Sequence, residues 1–323
     1  MRLCPIWEDA KESRKIWGGN RDNNNIRAWN TEKDGTMVAL TQKGCTREVE
    51  GRTTFHFDHV FDEEAHTPLV YESIARPMVP AVLNGKHATI FAYGQTGSGK
   101  TFTMQGGDKV ESESDQAGII QLVTADLFQF IRKDEVSSKK EFEVKVSYFE
   151  IYNEKIRDLL ADDEESTSSD SNGLSTTSAN RNDDLAIRTN ANGEVVVNVE
   201  QKKVKNTEEA LAVLVQGNAH RTVAATKMNA HSSRSHSVFR LSVKSRSVDD
   251  VSFRVSDFNL VDLAGSESLK STKSTGIRQR EGATINKRYA HDFRYSIRNP
   301  TILCGHVPSS LTLTHIVLLS VFF

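Results

Sequence analysis

Apolar residues alternate with polar ones in several short segments of this chain, which is the pattern of a half-buried β-strand. Residues 54–61 alternate in this way, while residues 89–93 and 141–152 are rich in β-branched and aromatic side chains. Segments 237–245 and 251–262 have the same character and flank a short polar turn, which predicts an antiparallel hairpin. We therefore expect a β-sheet built largely from these segments.

Between the strands, apolar positions recur at the spacing of an α-helix. Segments 68–83, 118–131 and 207–217 show this pattern. Alternation of strands with helices is typical of an α/β domain. Segment 161–184 interrupts it, because it is acidic, rich in Ser and Thr and almost free of large apolar side chains. Burial cannot offset the entropy of ordering such a segment, so we expect a disordered surface insertion rather than a domain boundary.

The segment after the strand 89–93 reads GQTGSGKT and satisfies the pattern G-x-x-x-x-G-K-[ST] of a phosphate-binding loop, or P-loop. Its glycines let backbone N–H groups turn toward phosphates, Lys100 neutralises phosphate charge, and the Thr101 hydroxyl is offered to Mg²⁺. A chance glycine-rich turn is disfavoured, because a strand precedes the loop and a helix can begin at Lys100. The loop consists of Gly94, Gln95, Thr96, Gly97, Ser98, Gly99, Lys100 and Thr101. The sequence therefore predicts a site for a nucleoside triphosphate with Mg²⁺.

Two later segments meet the needs of triphosphate hydrolysis. The apolar strand 251–262 ends at Asp262, where P-loop enzymes keep a carboxylate that holds the water shell of Mg²⁺. Residues 229–236 read NAHSSRSH and residues 262–267 read DLAGSE. Ser hydroxyls, an Arg, a Gly N–H and a Glu in two loops can position a water, stabilise charge and sense the terminal phosphate. A small GTPase is disfavoured, because the chain lacks a base-reading N-K-x-D string.

In this order, GQTGSGKT, NxxSSRSH and DLAGSE resemble the nucleotide loop and the two switch loops of the kinesin motor domain. The strings SYFEIYNEKIRDLL, RTVAATKMNAHSSRSH and EGATINK extend the resemblance over residues 1–287, and the N-terminal half is most similar to the mitotic, centromere-associated branch. The resemblance implies an α/β P-loop fold with a central mixed, mostly parallel sheet and helices on both faces. It also implies an ATPase that uses ATP and Mg²⁺, binds microtubules and couples hydrolysis to movement.

The same resemblance assigns roles to single residues. Ser232 would help to place the attacking water, and Ser233 would approach the metal when its loop closes. Gly265 would read the terminal phosphate through its N–H, and Arg234 and Glu267 would form the ion pair that closes both loops. The metal site would be formed by Thr101, Ser233 and, through water, Asp262.

Adenine recognition has a weaker match to the family pattern. The family places an R-x-R-P segment against the base, and the nearest match here begins at Arg2 and has Cys4 in place of the second Arg. Pro5 could still cover one face of adenine while Phe102 covers the other, so we expect weakened nucleotide affinity. For His236 we expect a packing or hydrogen-bonding role rather than direct chemistry.

Charge limits the partners that the chain can bind. With 41 basic and 43 acidic residues among 323, the formal net charge is -2, which predicts no general affinity for nucleic acid. Tubulin presents an acidic surface, so binding to microtubules would need local basic patches. One such patch lies between residues 270 and 298, and another lies at residues 202–205. The residues assigned to microtubule contact are Lys270, Lys273, Arg278, Arg280, Lys202 and Lys203.

Cysteine content and apolar stretches indicate a compartment. The three cysteines are widely spaced and form no C-x-x-C pair, which favours reduced thiols over disulfides or a zinc site. The N-terminus lacks the apolar core of a secretory signal, and the apolar segment 311–323 is too short to span a bilayer. We therefore expect a protein of the cytoplasm and the microtubule cytoskeleton, with no membrane partner.

After Lys287 the sequence departs from the kinesin pattern. Pro300 is unsuited to the interior of the helix that the family has there, and segment 316–323 lacks charge and proline, which predicts an exposed, aggregation-prone tail. We expect residues 1–287 to form the motor-like core and residues 288–323 to be a divergent segment that replaces the end of the motor, without the last helix, neck linker or coiled coil. This chain would then be monomeric, and its parent would dimerise through a coiled coil. A non-motile, nucleotide-gated microtubule-binding module and an inactive truncated fragment remain alternatives to a motor.

Overall fold

The fold is seen in a computed structural model, in which a large sheet carries most of the described helices on one face. The structure describes residues 2–3, 29–31, 37–40, 54–56, 58–61, 64–107, 116–138, 140–153, 155–161, 185, 187–189, 195–227, 234–247, 253–266 and 315–322. The predicted insertion lies outside these residues except for Ala161. None of the helices in these ranges is long and apolar enough to cross a membrane.

The secondary structure alternates much as the sequence predicts. The strands are β1 (Arg2–Leu3), β2 (Trp29–Thr31), β3 (Met37–Leu40), β4 (Thr54–His56), β5 (Ala88–Tyr93), β6 (Lys140–Tyr152), β7 (Lys155–Asp158), β8 (Ile187–Thr189), β9 (Val195–Val197), β10 (Lys202–Val204), β11 (His236–Ser247), β12 (Arg254–Asp262) and β13 (His315–Phe322). The helices are α1 (Thr67–Val70), α2 (Met78–Leu83), α3 (Lys100–Gln105), α4 (Ile119–Ser138) and α5 (Thr207–Lys227), and a π-helical turn over Tyr71–Ala75 lies between α1 and α2. The strand predicted over 54–61 ends early, at His56.

Eight strands form the main sheet, in the order β1-β13-β5-β12-β11-β6-β10, with β7 paired to β6. The predicted hairpin is confirmed, because β11 and β12 pair antiparallel. The sheet is mixed, as predicted, and among its strand pairs in the described residues three are parallel and four are antiparallel. Short turns join β6 to β7 and β11 to β12, and a connection that short permits only antiparallel pairing.

The two faces of the sheet carry separate apolar clusters. In β12, Phe258 and Leu260 belong to the larger cluster, whereas Val261 belongs to the smaller one, as expected for side chains that alternate along a strand. Buried residues of α1, α2, α4 and α5 all join the larger cluster. In the described residues the smaller cluster contains only residues of strands and loops. The predicted helical cover of this second face lies outside the described residues.

Helix α5 runs ten residues beyond the end that the sequence predicts, since it continues to Lys227 instead of stopping at Gly217. Glycine commonly ends helices. Here Gly217 lies inside the helix, where its missing side chain permits a close approach to Tyr148. The extension carries Arg221, whose side chain lies near Glu150 and Asp262.

Strand β13 contradicts the predicted exposed tail. Its residues His315–Ser320 pair in parallel with β5, and Val321 and Phe322 pair in parallel with β1. An uncharged, β-rich run suits a strand with parallel neighbours on both sides, because such strands are interior to the sheet. The division of the chain at residue 287 stays a prediction, but β13 belongs to the same sheet as the strand that precedes the P-loop.

Candidate nucleotide site

The P-loop connects β5 to α3 and has the backbone that its glycines permit. Gly97 and Gly99 have φ values of 81° and 89°, which residues other than glycine rarely adopt. Helix α3 begins at Lys100, as predicted. The Lys100 side chain is buried, and its Nζ donates a 2.8 Å hydrogen bond to the carbonyl oxygen of Gln95 at the tip of the loop. The ammonium group is thus held inside the loop that would enclose the phosphates.

Asp262 lies beside the first turn of α3. The Thr101 hydroxyl donates a 2.6 Å hydrogen bond to its Oδ2, while its Oδ1 is buried and accepts no hydrogen bond from any described residue. Burial raises the pKa of this carboxyl, although the Thr101 hydrogen bond and the charges of Arg221 and Lys100 act in the opposite direction. A buried carboxylate with a free oxygen, next to a hydroxyl, is a donor set that suits Mg²⁺.

Thr101 and Asp262 are the described contributors to the predicted metal site. Among the described residues there is no group of three or more His, Cys, Asp or Glu side chains that could hold an ion. Magnesium usually keeps several waters and takes only one or two carboxylates together with substrate phosphates. The structure brings Thr101 and Asp262 together as predicted, while Ser233, the third expected contributor, lies outside the described residues.

The chain after β12 runs alongside the start of the P-loop. The N–H of Leu263 donates to the oxygen of Ala92 at 3.2 Å, and the N–H of Ser266 donates to the oxygen of Gly94 at 3.0 Å. These bonds place the buried Gly265 next to the loop, where its predicted role requires it. The segment that follows Asp262 is therefore hydrogen-bonded to the P-loop and to the residue Ala92 before it.

His236 connects the start of β11 to this segment. Its Nδ1 accepts a 3.1 Å hydrogen bond from the N–H of Ala264, so the ring proton lies on Nε2 in this arrangement. The expected hydrogen-bonding role of His236 is confirmed. Arg234, two residues earlier, is half-buried, whereas its predicted partner Glu267 lies outside the described residues.

A buried cluster of charges lies behind Asp262. Arg221 approaches Glu150 with an Nε to Oε2 distance of 3.8 Å, and its NH1 lies 4.0 Å from Oδ2 of Asp262. Arg221 also donates hydrogen bonds of 3.3 Å to Ser237 and 3.4 Å to Ser235. Sequence analysis missed Arg221 and Glu150. The signal was a charged residue inside an otherwise apolar run, since Glu150 lies between Phe149 and Ile151.

Most residues predicted to contact adenine or microtubules lie outside the described part of the chain. Phe102 is half-buried in α3, and Arg2 is described through the backbone of β1 only. The predicted site residues outside the described part of the chain are Pro5, Ser232, Ser233, Glu267, Lys270, Lys273, Arg278 and Arg280.

The second basic cluster is partly neutralised by neighbouring side chains. Lys203 donates a 2.8 Å hydrogen bond to Glu143, and Nζ of Lys202 lies 3.8 Å from Oε1 of Glu200. The Lys203 ammonium holds the pKa of Glu143 below its usual value. These two lysines therefore offer an acidic partner less net charge than their number suggests.

Comparison with known proteins decides the family. The kinesin motor domain profile matches residues 15–289. This chain belongs to the kinesin motor domain family. The resemblance found in the sequence is thus confirmed, and kinesin motor domains as a class bind nucleotide with Mg²⁺, hydrolyse ATP and bind microtubules.

Relatives of this kinesin motor domain include far longer proteins. Chromosome-associated kinesin KIF4 of Mus musculus is 42% identical over 260 residues, which cover 79% of this chain and 20% of KIF4. Centromere-associated protein E of Homo sapiens is 38% identical over 253 residues, which cover 76% of this chain and 8% of that protein. The chain therefore spans a fifth or less of the length of these two relatives.

A solved kinesin structure confirms the fold of the motor domain. A fast kinesin, described with implications for its ATPase mechanism and interactions with microtubules, aligns with a TM-score of 0.75 at 29% identity. The alignment covers 99% of this chain and 84% of that one. The P-loop fold with a mixed sheet and packed helices is thus shared with a member of the family.

Proposed function

We propose that this chain hydrolyses ATP at the P-loop and couples hydrolysis to microtubule binding and movement. The hydrogen bond between Thr101 and Asp262 supports this most directly, because it joins the P-loop helix to the strand tip that carries the carboxylate. A P-loop with these two oxygens side by side can hold a magnesium nucleotide. Chromosome-associated kinesin KIF4 and Centromere-associated protein E are similar to this chain at comparable identity, so the comparison does not favour the centromere-associated branch.

The residues of the chain would divide the work as follows. Lys100 neutralises the β and γ oxygens, and the backbone of the loop donates hydrogen bonds to the phosphates. Thr101 would hold the metal directly and Asp262 would hold it through water, with Ser233 joining when its loop closes. Held by these residues, Mg²⁺ would supply positive charge against the charge that develops on the phosphate oxygens.

Response to the terminal phosphate would come from the two loops that meet at the site. Gly265 would donate its N–H to the phosphate, and Ser232 would orient the water. Arg234 and Glu267 would pair when both loops close. The hydrogen bonds of Ser266 to Gly94 and of Ala264 to His236 keep Gly265 near the P-loop, so a small shift there would be felt at β11.

The proposed partner is the microtubule, and the proposed location is the cytoplasmic microtubule cytoskeleton. Contacts would come from Lys202 and Lys203 and from the basic run that includes Lys270, Lys273, Arg278 and Arg280. Adenine would lie against Phe102, with Arg2 and Pro5 nearby.

The test is a steady-state ATPase assay with and without microtubules. The expected result is ATP turnover that microtubules increase and that Lys100→Ala abolishes. The control is Lys133→Ala, which replaces an exposed lysine on α4 and should leave turnover unchanged. A gliding assay then separates a motor from a non-motile binding module. Absence of turnover in folded protein, with and without microtubules, would overturn the proposal.

A further inference from the structure

Tyr148 on β6 is completely buried, and its hydroxyl both accepts and donates a hydrogen bond. The hydroxyl accepts a 3.1 Å hydrogen bond from Nε2 of Gln105, the last residue of α3, and donates a 2.8 Å hydrogen bond to Oδ1 of Asn218 on α5. The ring packs edge-on against Phe239, with centroids 5.7 Å apart. One phenol thus bridges the P-loop helix and the helix that leads toward the first switch loop.

Helix α5 rests directly on the ring of Tyr148. A Cβ atom added at Gly217 would lie 2.2 Å from Cδ1 and 2.8 Å from Cε1 of that ring. Glycine is disfavoured inside helices, so a close approach of this kind is the physical reason for it here. The ring therefore has no room to move unless α5 moves as well.

The bridge complements the connection at the other end of α3. At the start of α3, Thr101 bonds to Asp262, whose Oδ2 lies 4.0 Å from NH1 of Arg221 on α5. At its end, Gln105 reaches α5 through Tyr148 and Asn218. Asn218 and Arg221 are three residues apart and so lie on the same side of the helix. Both ends of the six-residue helix are thereby connected to one face of α5.

We propose that Tyr148 is a positioning residue of the nucleotide site, whose hydroxyl fixes α3 against α5 so that Lys100 and Thr101 are aligned for a magnesium nucleotide. This inference rests on the proposed function of the P-loop. The bridge needs a protonated phenol, and burial raises the pKa of Tyr148 above its ordinary value, so the proton that is donated to Asn218 stays in place. Tyr148 itself touches no reacting atom in this role.

The first test compares Tyr148→Phe with wild type by titrating Mg-ADP and by measuring thermal unfolding with and without it. Phenylalanine keeps the ring against Gly217 and removes only the hydroxyl. We expect Mg-ADP binding to weaken about tenfold, the size of effect that one lost buried hydrogen-bonding group can produce. The rise in unfolding temperature on adding Mg-ADP should shrink accordingly.

The matched control is Thr124→Val on α4, which removes a buried hydroxyl that bonds within its own helix at 2.7 Å. It should lower the unfolding temperature without altering the shift caused by Mg-ADP. If Tyr148→Phe behaves in the same way, Tyr148 is merely structural and the inference is overturned. If wild type itself shows no shift with Mg-ADP, the proposed function fails instead, so the two failures are distinguishable.

The second test uses the direction of the hydrogen bond to Asn218. Asn218→Asp retains an acceptor for the Tyr148 hydroxyl and should bind Mg-ADP as wild type does, whereas Asn218→Leu should weaken binding. In the Tyr148→Phe background, Asn218→Leu should have no further effect, because the bridge is already broken. Equal effects of Asn218→Leu in both backgrounds would overturn the inference. Unchanged Mg-ADP binding in Asn218→Leu alone would also overturn it, and that result does not depend on the stability of Tyr148→Phe.

Discussion

The Thr101 hydroxyl donates a 2.6 Å hydrogen bond to Asp262 although 161 residues separate the two in sequence. Parallel pairing of β12 with β5 brings them together, because it aligns Asp262 with Ala92, just before the P-loop. The position of the Asp262 carboxylate is therefore determined by the register of β12 against β5 and not by a local motif. Any change that shifts this register would separate the two oxygens proposed to hold magnesium.

The first prediction concerns this oxygen pair. Thr101→Ala removes one oxygen, and since even the loss of an outer-shell partner costs about 10- to 100-fold in metal affinity, we expect a loss of at least this size. We expect ADP binding to require correspondingly more Mg²⁺, measured by titrating Mg²⁺ at fixed nucleotide. Thr101→Ser keeps a hydroxyl and should match wild type. An unchanged Mg²⁺ requirement in Thr101→Ala would show that this threonine is not a metal contact.

The second prediction concerns the acceptor on His236. Asparagine can place a carbonyl oxygen close to the position of Nδ1, whereas glutamine places its amide further out, near Nε2. His236→Asn should therefore keep the hydrogen bond from Ala264 and most of the turnover. His236→Gln should lower turnover and destabilise the fold by about 1 kcal/mol, measured by ATPase assay and urea unfolding. Similar losses in both variants would mean that ring packing, not the hydrogen bond, matters.

The third prediction concerns Tyr71, whose hydroxyl donates a 2.5 Å hydrogen bond to Asp126. Burial, followed by the hydrogen bond to Asp126, raises the pKa of Tyr71 well above its ordinary value of 10.0. The unfolded chain thus loses this proton first, and stability falls as the pH rises above 10.0. Tyr71→Phe should cost about 1–2 kcal/mol at pH 7, and this deficit should shrink above pH 10. Unfolding measured across that pH range would contradict the prediction if the deficit stayed constant.

Parts of the fold and of the nucleotide site could be predicted from the sequence, and others could not. The P-loop and the β11–β12 hairpin were predictable because their signals are local: glycine spacing in one case and two strands around a short turn in the other. The roles of Arg221 and Glu150 could not be predicted from the sequence. Their partners lie on other strands and helices, and only the register of the sheet brings these elements together. Gly217 was misread as a helix end, since the ring of Tyr148 that explains it is remote in sequence.

The fourth prediction tests the lysines at residues 202–203 as microtubule contacts. Glu143→Gln releases Lys203 from its 2.8 Å ion pair and should raise microtubule affinity about twofold at low salt, less at high salt. Glu135→Gln on α4 makes the same change in net charge elsewhere and should have little effect. Co-sedimentation with microtubules measures both variants. An equal response would mean that only total charge counts and that this cluster does not face the filament.

The fifth prediction concerns β13. Removing residues 315–323 leaves β5 without its neighbour on one side, and an unpaired strand edge of that kind promotes aggregation. We expect the shortened protein to unfold at lower temperature and to aggregate on expression. Removing residues 165–180, within the predicted insertion, should leave the unfolding temperature unchanged. A soluble protein of unchanged stability after loss of β13 would contradict the observed pairing.

The position of β13 also has a consequence for the order of events during synthesis. Arg2 pairs with Val321, so the first described strand gains its neighbour only after residue 321 has left the ribosome. Pairings between such distant segments form slowly, and until then the growing chain exposes unpaired strands. A pause in translation before Val321 would therefore lengthen the time for which β1 and β5 lack β13 as their neighbour.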